Sequence, residues 1–172
     1  FGDLTVARSS LGACSSSTRG LFGGGTTGSN SNIIDYVTID TAGNATDFGD
    51  LTVGRTTSSA CSSSTRGVFG GGYTTVRVNT IDYVTIATTG NATDFGDLLS
   101  AKRGLIACSS SIRGLFGGGY TGSRVNNIDY VTIATLGDAS DFGDLTVNRS
   151  SFAACSSSIR AIFAGGYDGD YY

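Results

Sequence analysis

The sequence predicts an all-β protein built from a repeated unit, and three observations carry that prediction. A block of 47 residues recurs along the 172-residue chain. Gly, Ser, Thr and Asn are abundant, and no apolar stripe of helical period persists for three turns, which disfavours helices. Short runs rich in β-branched residues and tyrosine lie between glycine and polar turn residues, as is typical of strands. The motif Phe-Gly-Asp-Leu begins each repeat, at Phe1, Phe48, Phe95 and Phe142. We therefore divide this single repeat domain into 1–47, 48–94, 95–141 and a partial repeat, 142–172.

Four short strands are predicted in each repeat, as the first repeat illustrates. Leu11–Ser15 is small and apolar, and Arg19–Gly23 is a compact apolar run that ends in three glycines. Ile33–Ile39 is rich in β-branched residues. Gly43–Asn44 predicts a tight turn, because both residues tolerate positive φ. The last strand is Asp47–Val53.

Four strands per 47 residues, with a glycine cluster at a fixed place, are typical of the four-stranded antiparallel blade of a β-propeller. The alternative is a β-solenoid with one coil per repeat. We favour the propeller because hairpin-like turns imply antiparallel pairing.

The repeat resembles the kelch repeat over the whole chain. The matching features in the first period are Arg8 and Arg19, an apolar pair running into Gly23-Gly24, Asp35-Tyr36, and Phe48 before Arg55. Two departures recur. Phenylalanine replaces the family's tryptophan near the end of the repeat, and glycine replaces the tyrosine before the double glycine.

Repeats of this kind are similar to kelch-like proteins of marine bacteriophages, particularly tail-associated ones, and of cyanobacteria. The resemblance implies an extracellular or virion-surface location and a role in host attachment. It also raises the prospect of a galactose-oxidase-like enzyme, but the copper site of that family needs histidine, which this chain lacks.

The order of predicted strands leaves the last blade incomplete. With the small strand innermost, the chain opens on an outer strand, passes through all four strands three times, and closes on the first two. We expect Phe1–Val6 to complete the final blade if the ring closes on itself. Otherwise the unpaired edge invites another chain, which predicts a homo-oligomer or a larger assembly.

Composition excludes several functions. The chain has no histidine and no glutamate, so common acid–base catalysts and zinc ligands are missing and we expect no enzyme. A net charge of −3 argues against nucleic acid as a partner. No apolar run approaches the length of a membrane span, so we expect no membrane partner either.

The cysteines occupy one equivalent position in each repeat, at Cys14, Cys61, Cys108 and Cys155. Equivalent positions in separate blades normally lie too far apart for disulfides. We interpret them as small buried thiols rather than nucleophiles or zinc ligands, because no histidine is present to activate them.

Two arginine series also follow the repeat. One contains Arg8, Arg55, Arg103 and Arg149, with a small drift in the third repeat, where Lys102 rather than Arg103 is strictly in register with Arg8; the other contains Arg19, Arg66, Arg113 and Arg160. We interpret both as structural, bonded to carbonyls or to carboxylates of the Asp47 type. A ring of guanidinium groups that holds an anion is the alternative.

The glycine triplets at 23–25, 70–72 and 117–119 lack the Lys-Ser/Thr of a phosphate loop, so we expect them to allow close packing of blades. Paired aspartates such as Asp47 and Asp50 favour calcium as the only metal, although capping of turns is the commoner role. We otherwise expect no cofactor.

The segments between the second and third strands differ from repeat to repeat, and are therefore the predicted binding loops. Strand alternation places them on one face with the loops that lead into the next repeat. The residues gathered there are Tyr73, Arg77, Tyr120, Arg124 and Tyr167. We predict a non-enzymatic module that presents these loops to a host glycan or protein. The alternative is an architectural protein that assembles through its incomplete blade into a ring or filament.

Overall fold

The computed structural model describes residues 1–169, which form fourteen strands and no helix. Each full repeat makes one antiparallel four-stranded sheet in chain order, and the last repeat makes a two-stranded sheet. The first sheet contains β1 (Gly12–Ser15), β2 (Arg19–Gly23), β3 (Ile33–Thr38) and β4 (Thr46–Asp50). The second contains β5 (Ser59–Ser62), β6 (Arg66–Gly70), β7 (Thr80–Thr85) and β8 (Thr93–Asp97). The third contains β9 (Ile106–Ser109), β10 (Arg113–Gly117), β11 (Asn127–Thr132) and β12 (Ser140–Asp144), and the fourth contains β13 (Ala153–Ser156) and β14 (Ala161–Ala164).

The all-β prediction is confirmed, and the predicted strands lie within a few residues of the observed ones. The observed fourth strand ends earlier than predicted, at Asp50 rather than Val53. The prediction of a tight turn at Gly43–Asn44 is wrong. Residues 39–45 form a longer connection, and neither Gly43 nor Asn44 has a positive φ.

Asn44 instead joins the turn to the chain before it. Its side-chain oxygen accepts a hydrogen bond from the backbone N–H of Asp3 at 3.0 Å, and Asn91 accepts in the same way from Asp50. In the third sheet Asp138 takes this role toward Asp97. The outer strand of one repeat is therefore held by the turn of the next.

The opening segment follows the same rule, which corrects one expectation. The N–H of Gly2 donates to the carbonyl of Gly43, and the N–H of Ala45 donates to Asp3. Phe1–Val6 therefore lies against the first sheet and, among the described strands, β14 pairs only with β13. The segment forms no named strand, so the described residues contain three outer strands rather than the expected four. The closing residues, 170–172, which belong to the partial repeat, lie outside the described residues.

The hydrophobic core lies between neighbouring sheets, which approach one another most closely at their first strands. The cluster between the first two sheets includes Leu21, Ile34, Phe48, Phe69 and Ile86. The cluster between the second and third includes Val68, Ile81, Phe95, Phe116 and Ile133. The third cluster has only three fully buried members, Cys108, Leu115 and Ile128.

Glycine allows this close approach, as predicted. A Cβ on Gly23 would lie 2.6 Å from the Phe69 ring, and one on Gly70 would lie 2.7 Å from the Phe116 ring. The next two glycines of the first triplet, Gly24 and Gly25, also have positive φ, at 73° and 98°. The triplets thus combine a steric and a conformational requirement.

Serine side chains join the first strands of successive sheets. The hydroxyl of Ser62 donates to the carbonyl of Ser15 at 2.7 Å and accepts from the N–H of Ser15 at 3.3 Å. Ser109 bonds Ser62 in the same way, and Ser156 bonds Ser109. One hydroxyl thus satisfies two backbone groups at each step.

In the three complete sheets, the basic residue before the first strand pairs with a buried aspartate of the third strand. Arg8 lies 2.8 Å from Asp35, Arg55 lies 3.0 Å from Asp82, and Lys102 lies 3.0 Å from Asp129, with all six side chains fully buried. The prediction that carboxylates of the Asp47 type pair with this series is wrong, because the partners are third-strand aspartates. Burial lowers the pKa of Arg55 and of Lys102, and the paired carboxylate opposes that shift.

In the first two sheets the second arginine series bonds carbonyls, as predicted. Arg19 donates to the carbonyl of Ile86 and Arg66 to that of Ile133, each in the following sheet. Each guanidinium also lies over the tyrosine of its own third strand, 4.6 Å from the ring centre for Arg19 and Tyr36. No helix that is long and apolar enough to cross a membrane occurs among residues 1–169.

Candidate functional site

The predicted binding loops lie on one face because they pair with the loops that join one sheet to the next. The N–H of Thr56 donates to the carbonyl of Tyr73, and the N–H of Tyr73 donates back to Thr56. Arg103 and Tyr120 exchange the same two bonds. Each loop tyrosine is thereby fixed beside the entry to the following strand, as the sequence predicted.

On this face tyrosine rings and guanidinium groups stack in two neighbouring groups, and the backbone bridge between Tyr120 and Arg124 connects them. We call the two groups together the tyrosine–arginine ladder; its members are Tyr73, Arg77, Arg103, Tyr120, Arg124 and Tyr167. The guanidinium of Arg103 lies 4.9 Å from the Tyr73 ring centre and 5.5 Å from that of Tyr120.

The two remaining arginines reach forward to the tyrosine of the next repeat. Arg77 lies 5.7 Å from the ring centre of Tyr120, and Arg124 lies 4.0 Å from that of Tyr167. The five residues predicted from the sequence are therefore brought together in the second, third and fourth sheets.

The ladder is partly exposed and carries concentrated positive charge. Its three tyrosines, together with Arg77 and Arg124, are half-buried, whereas Arg103 is exposed. A guanidinium that stacks on a ring keeps its N–H edge for carboxylate or sulfate. Three cations thus lie on one face of a chain whose net charge is −3.

A shallow cavity of about 480 Å³ lies at the fourth-sheet end of the ladder. Its walls include Arg103, Tyr120, Arg124 and Tyr167, with the hydroxyl groups of Ser150 and Ser151 between them. Ser151 has a positive φ of 55°, as does the equivalent Thr57 at 54°. The cavity therefore combines cations, aromatic surface and hydroxyls.

Sequence reasoning missed Arg103, which joins the ladder between two tyrosines. We took it for a drifted member of the Arg8 series, but Lys102 fills that register. The available signal was the adjacent pair itself, because a second cation beside an in-register lysine has no equivalent in the other repeats. Thr56 and Ser150 stand at the corresponding positions.

The first repeat does not take part in the ladder. Thr26 stands where the later repeats have tyrosine, and Asn30 stands where the second and third repeats have arginine. The side chain of Asn30 donates instead to the carbonyl of Thr74 at 2.6 Å, so it joins the loops of the first two sheets.

The cysteines are free thiols and do not form a second site. Cys61 and Cys108 are buried, Cys14 is half-buried and Cys155 is exposed, so the expectation of burial fails for the last repeat. Burial raises the pKa of the Cys14 thiol to about 12 and raises that of Cys61 well above its ordinary value, which lowers their reactivity. Within residues 1–169, no group of three or more cysteine and aspartate side chains is placed to hold a metal ion.

The opposite end of the sheets holds a cavity of about 400 Å³ lined by serines only. These serines belong to the turns between the first two strands of all four sheets, 15–17, 62–64, 109–111 and 156–158. It offers hydroxyl groups without charge or aromatic surface, so the ladder remains the stronger candidate.

Comparison with known proteins assigns the chain to no family. No protein-family model matches the chain, and no curated protein matches its sequence.

Proposed function

We propose that the chain is a non-enzymatic binding module, part of a kelch-like β-propeller, whose tyrosine–arginine ladder binds an acidic glycan. The observation that carries the proposal is the stacking of guanidinium groups on tyrosine rings in the loops of the second, third and fourth sheets. Tyrosine rings present flat apolar surface to sugar rings, and arginine edges pair with carboxylate or sulfate.

The repeat supports a polymeric ligand in particular. The three tyrosines are equivalent positions, since Tyr73, Tyr120 and Tyr167 are 47 residues apart in sequence. Arg77 and Arg124 are also 47 residues apart, so a glycan with a carboxylate in every repeating unit meets a cation beside each of two successive tyrosines. A module that displays this face suits the virion or cell surface that the kelch-like resemblance implies.

Binding to hyaluronan oligosaccharides, with neutral dextran as the reference, tests the proposal by isothermal titration calorimetry. We expect binding that weakens as salt rises, because exposed charge pairs are screened. Arg103→Gln and Tyr120→Ala should each reduce affinity about tenfold, in the range of one lost charged or aromatic contact.

Ser158→Ala is the matched control, since Ser158 is exposed at the opposite, serine-lined end. Equal affinity of the wild-type chain for dextran and hyaluronan would contradict an acidic ligand. Binding that survives Arg103→Gln and Tyr120→Ala together would move the site away from the ladder.

A second candidate function, assembly through the two ends of the array, is favoured by a different observation. Ile39, on the free face of the first sheet, is 40% exposed, whereas the equivalent Ile86 and Ile133 are 1% exposed. At the other end Ile162 is 59% exposed, whereas the equivalent Leu21 and Val68 are 0% exposed. Two unlike end faces on one chain produce head-to-tail contacts, which close into rings or extend into filaments.

Native mass spectrometry over a range of concentrations separates the two candidates. Defined multiples of the chain mass that disappear in an Ile39→Asp variant would support assembly through the end faces. A single-chain mass at all concentrations would contradict it and leave glycan binding as the function.

A further inference from the structure

We propose that the open edge of β14 takes up an extended strand that carries an aspartate, and that Arg149 pairs with that aspartate. The inference is independent of the ligand bound by the ladder. It starts from what the three complete sheets share and the fourth lacks among the described residues, namely a third strand.

In the complete sheets the third strand supplies the carboxylate for the buried cation. Arg55 reaches both Asp82 on β7 and the carbonyl of Phe69 on β6. Arg8 makes the same pair of contacts with Asp35 and Phe22. The cation thus bridges the second and third strands of its own sheet.

Arg149 stands at the equivalent position before β13, but its surroundings differ. It donates to the carbonyl of Gly165 at 2.9 Å, and within residues 1–169 no carboxylate forms an ion pair with it. Its Nε is buried and has no hydrogen-bond partner, as is also true of Arg8 and Arg55 in the complete sheets. The fourth sheet therefore holds a prepared cation next to an unpaired edge.

A threonine upstream of the cation also contacts the buried aspartate in two of the complete sheets, and its equivalent is present in the fourth sheet. In the first two sheets a threonine from the preceding segment donates through both its N–H and its hydroxyl to the buried aspartate. Thr5 does so to Asp35, and Thr52 does so to Asp82. Thr146 occupies the corresponding place and lines the cavity beside Arg149.

That cavity has the size and composition of a strand-binding groove. Its volume is about 530 Å³, and its apolar walls include Leu115, Phe142, Leu145 and Phe163. Phe142 is 49% exposed, whereas its equivalents Phe48 and Phe95 are 2% exposed. A strand added to β14 would cover it.

The complete sheets also define the register of the missing strand. On β10 and β11, Gly117 lies opposite Ile128, Phe116 opposite Asp129, and Leu115 opposite Tyr130. Transferred to β14, the aspartate lies opposite Phe163. The occupant is thus an antiparallel segment with the pattern aliphatic, Asp, Tyr, β-branched, Thr, which adds by backbone hydrogen bonding.

A synthetic peptide with the sequence of residues 126–133, extended by Gly-Lys-Lys for solubility and labelled with fluorescein, tests the inference by fluorescence polarisation on the full chain. We expect saturable binding. Changing the peptide's aspartate to asparagine should weaken it at least about tenfold, as should Arg149→Gln in the protein, because each leaves a buried charge unpaired.

The two changes combined should cost little more than either alone, since they remove the same ion pair. Arg77→Gln is the matched control; Arg77 lies on the loop face over the Tyr120 ring, away from this cavity, and its loss should leave the affinity unchanged. Circular dichroism of each variant excludes loss of fold as the cause of weaker binding.

Three results would overturn the inference. Absence of binding at millimolar peptide would show that the edge accepts no strand. Equal binding of the aspartate and asparagine peptides would show that Arg149 does not select a carboxylate. Binding that appears only after removal of residues 170–172 would assign the edge to the chain's own tail instead of a separate strand.

Discussion

The second and third sheets contain equivalent residues in unequal surroundings. In the second sheet Phe95 packs edge to face on Tyr83 with ring centres 6.0 Å apart, and the third sheet covers both. In the third sheet Phe142 meets Tyr130 at the same 6.0 Å, but it faces the two-stranded sheet and stays half exposed. The pairing within a repeat is therefore identical, and the difference in burial comes from the neighbour. Stability in this molecule belongs largely to the interfaces between repeats.

Removal of a buried carboxylate gives the largest contrast between the sheets. Asp82→Ala should lower the free energy of unfolding by about 3–5 kcal/mol, because it leaves the Arg55 charge buried without a partner. Arg149→Met should change it by less than about 1 kcal/mol, since no carboxylate within residues 1–169 pairs with that residue. Urea denaturation of both variants measures the difference. Equal losses would mean that Arg149 already has a strong partner.

The next largest difference in free energy of unfolding is expected from truncation of the repeated phenylalanine. Phe95→Ala should cost about 3 kcal/mol, because it opens a cavity in a closed interface. Phe142→Ala should cost about 1 kcal/mol, since that ring is half exposed and its cavity can fill with water. The same denaturation experiment compares them. If both variants lose the same free energy, the interface between sheets is not where the stability lies.

A smaller effect comes from adding a single methyl group between sheets. Gly70→Ala should destabilise by about 1–2 kcal/mol, because the new Cβ would lie 2.7 Å from the buried Phe116 ring. Gly43→Ala is the control, since its Cβ meets nothing within 4 Å. Thermal denaturation should separate them by several degrees, with the control within error of the parent chain.

The last effect appears only at alkaline pH, as a pH dependence of stability that comes from the thiols. Cys14 has an ordinary pKa of 9.0 and a folded pKa of about 12. Between these pH values the folded chain keeps a proton that the unfolded chain has lost, so the free energy of unfolding falls as pH rises. Cys14→Ala should flatten that slope, whereas Cys155→Ala, at an exposed position, should not. An unchanged slope in Cys14→Ala would assign the alkaline loss to other groups.

The sequence predicts most of this fold because the same pattern of strands and turns recurs in every repeat. Strand order, the glycine contacts and the face that carries Tyr73 and Tyr120 all follow from local pattern and alternation. Which aspartate pairs with the buried cations could not be predicted from the same pattern. Asp47 and Asp35 are both repeated, but only packing between strands buries Asp35. Lys102 in register with Arg55 was the signal that this position requires a cation.

Residues whose role lies between repeats were the hardest to predict. Asn44 fits a tight turn by its local preference, yet its side chain bonds the preceding segment. Arg103 fits a drifted repeat, yet it stacks on tyrosines of two sheets. Local preference does not include the neighbouring sheet, so it cannot identify these roles.

The serine, asparagine and arginine bonds between sheets have a consequence for how the chain folds. They join residues 41, 47 or 67 positions apart, whichever pair of sheets they connect. The entropy of closing these loops is thus nearly the same at every step, and additional repeats lengthen the chain without raising the separation of its contacts. On the ribosome each sheet can dock as soon as its successor has emerged. The exposed face is then always that of the newest repeat, until a further strand covers it.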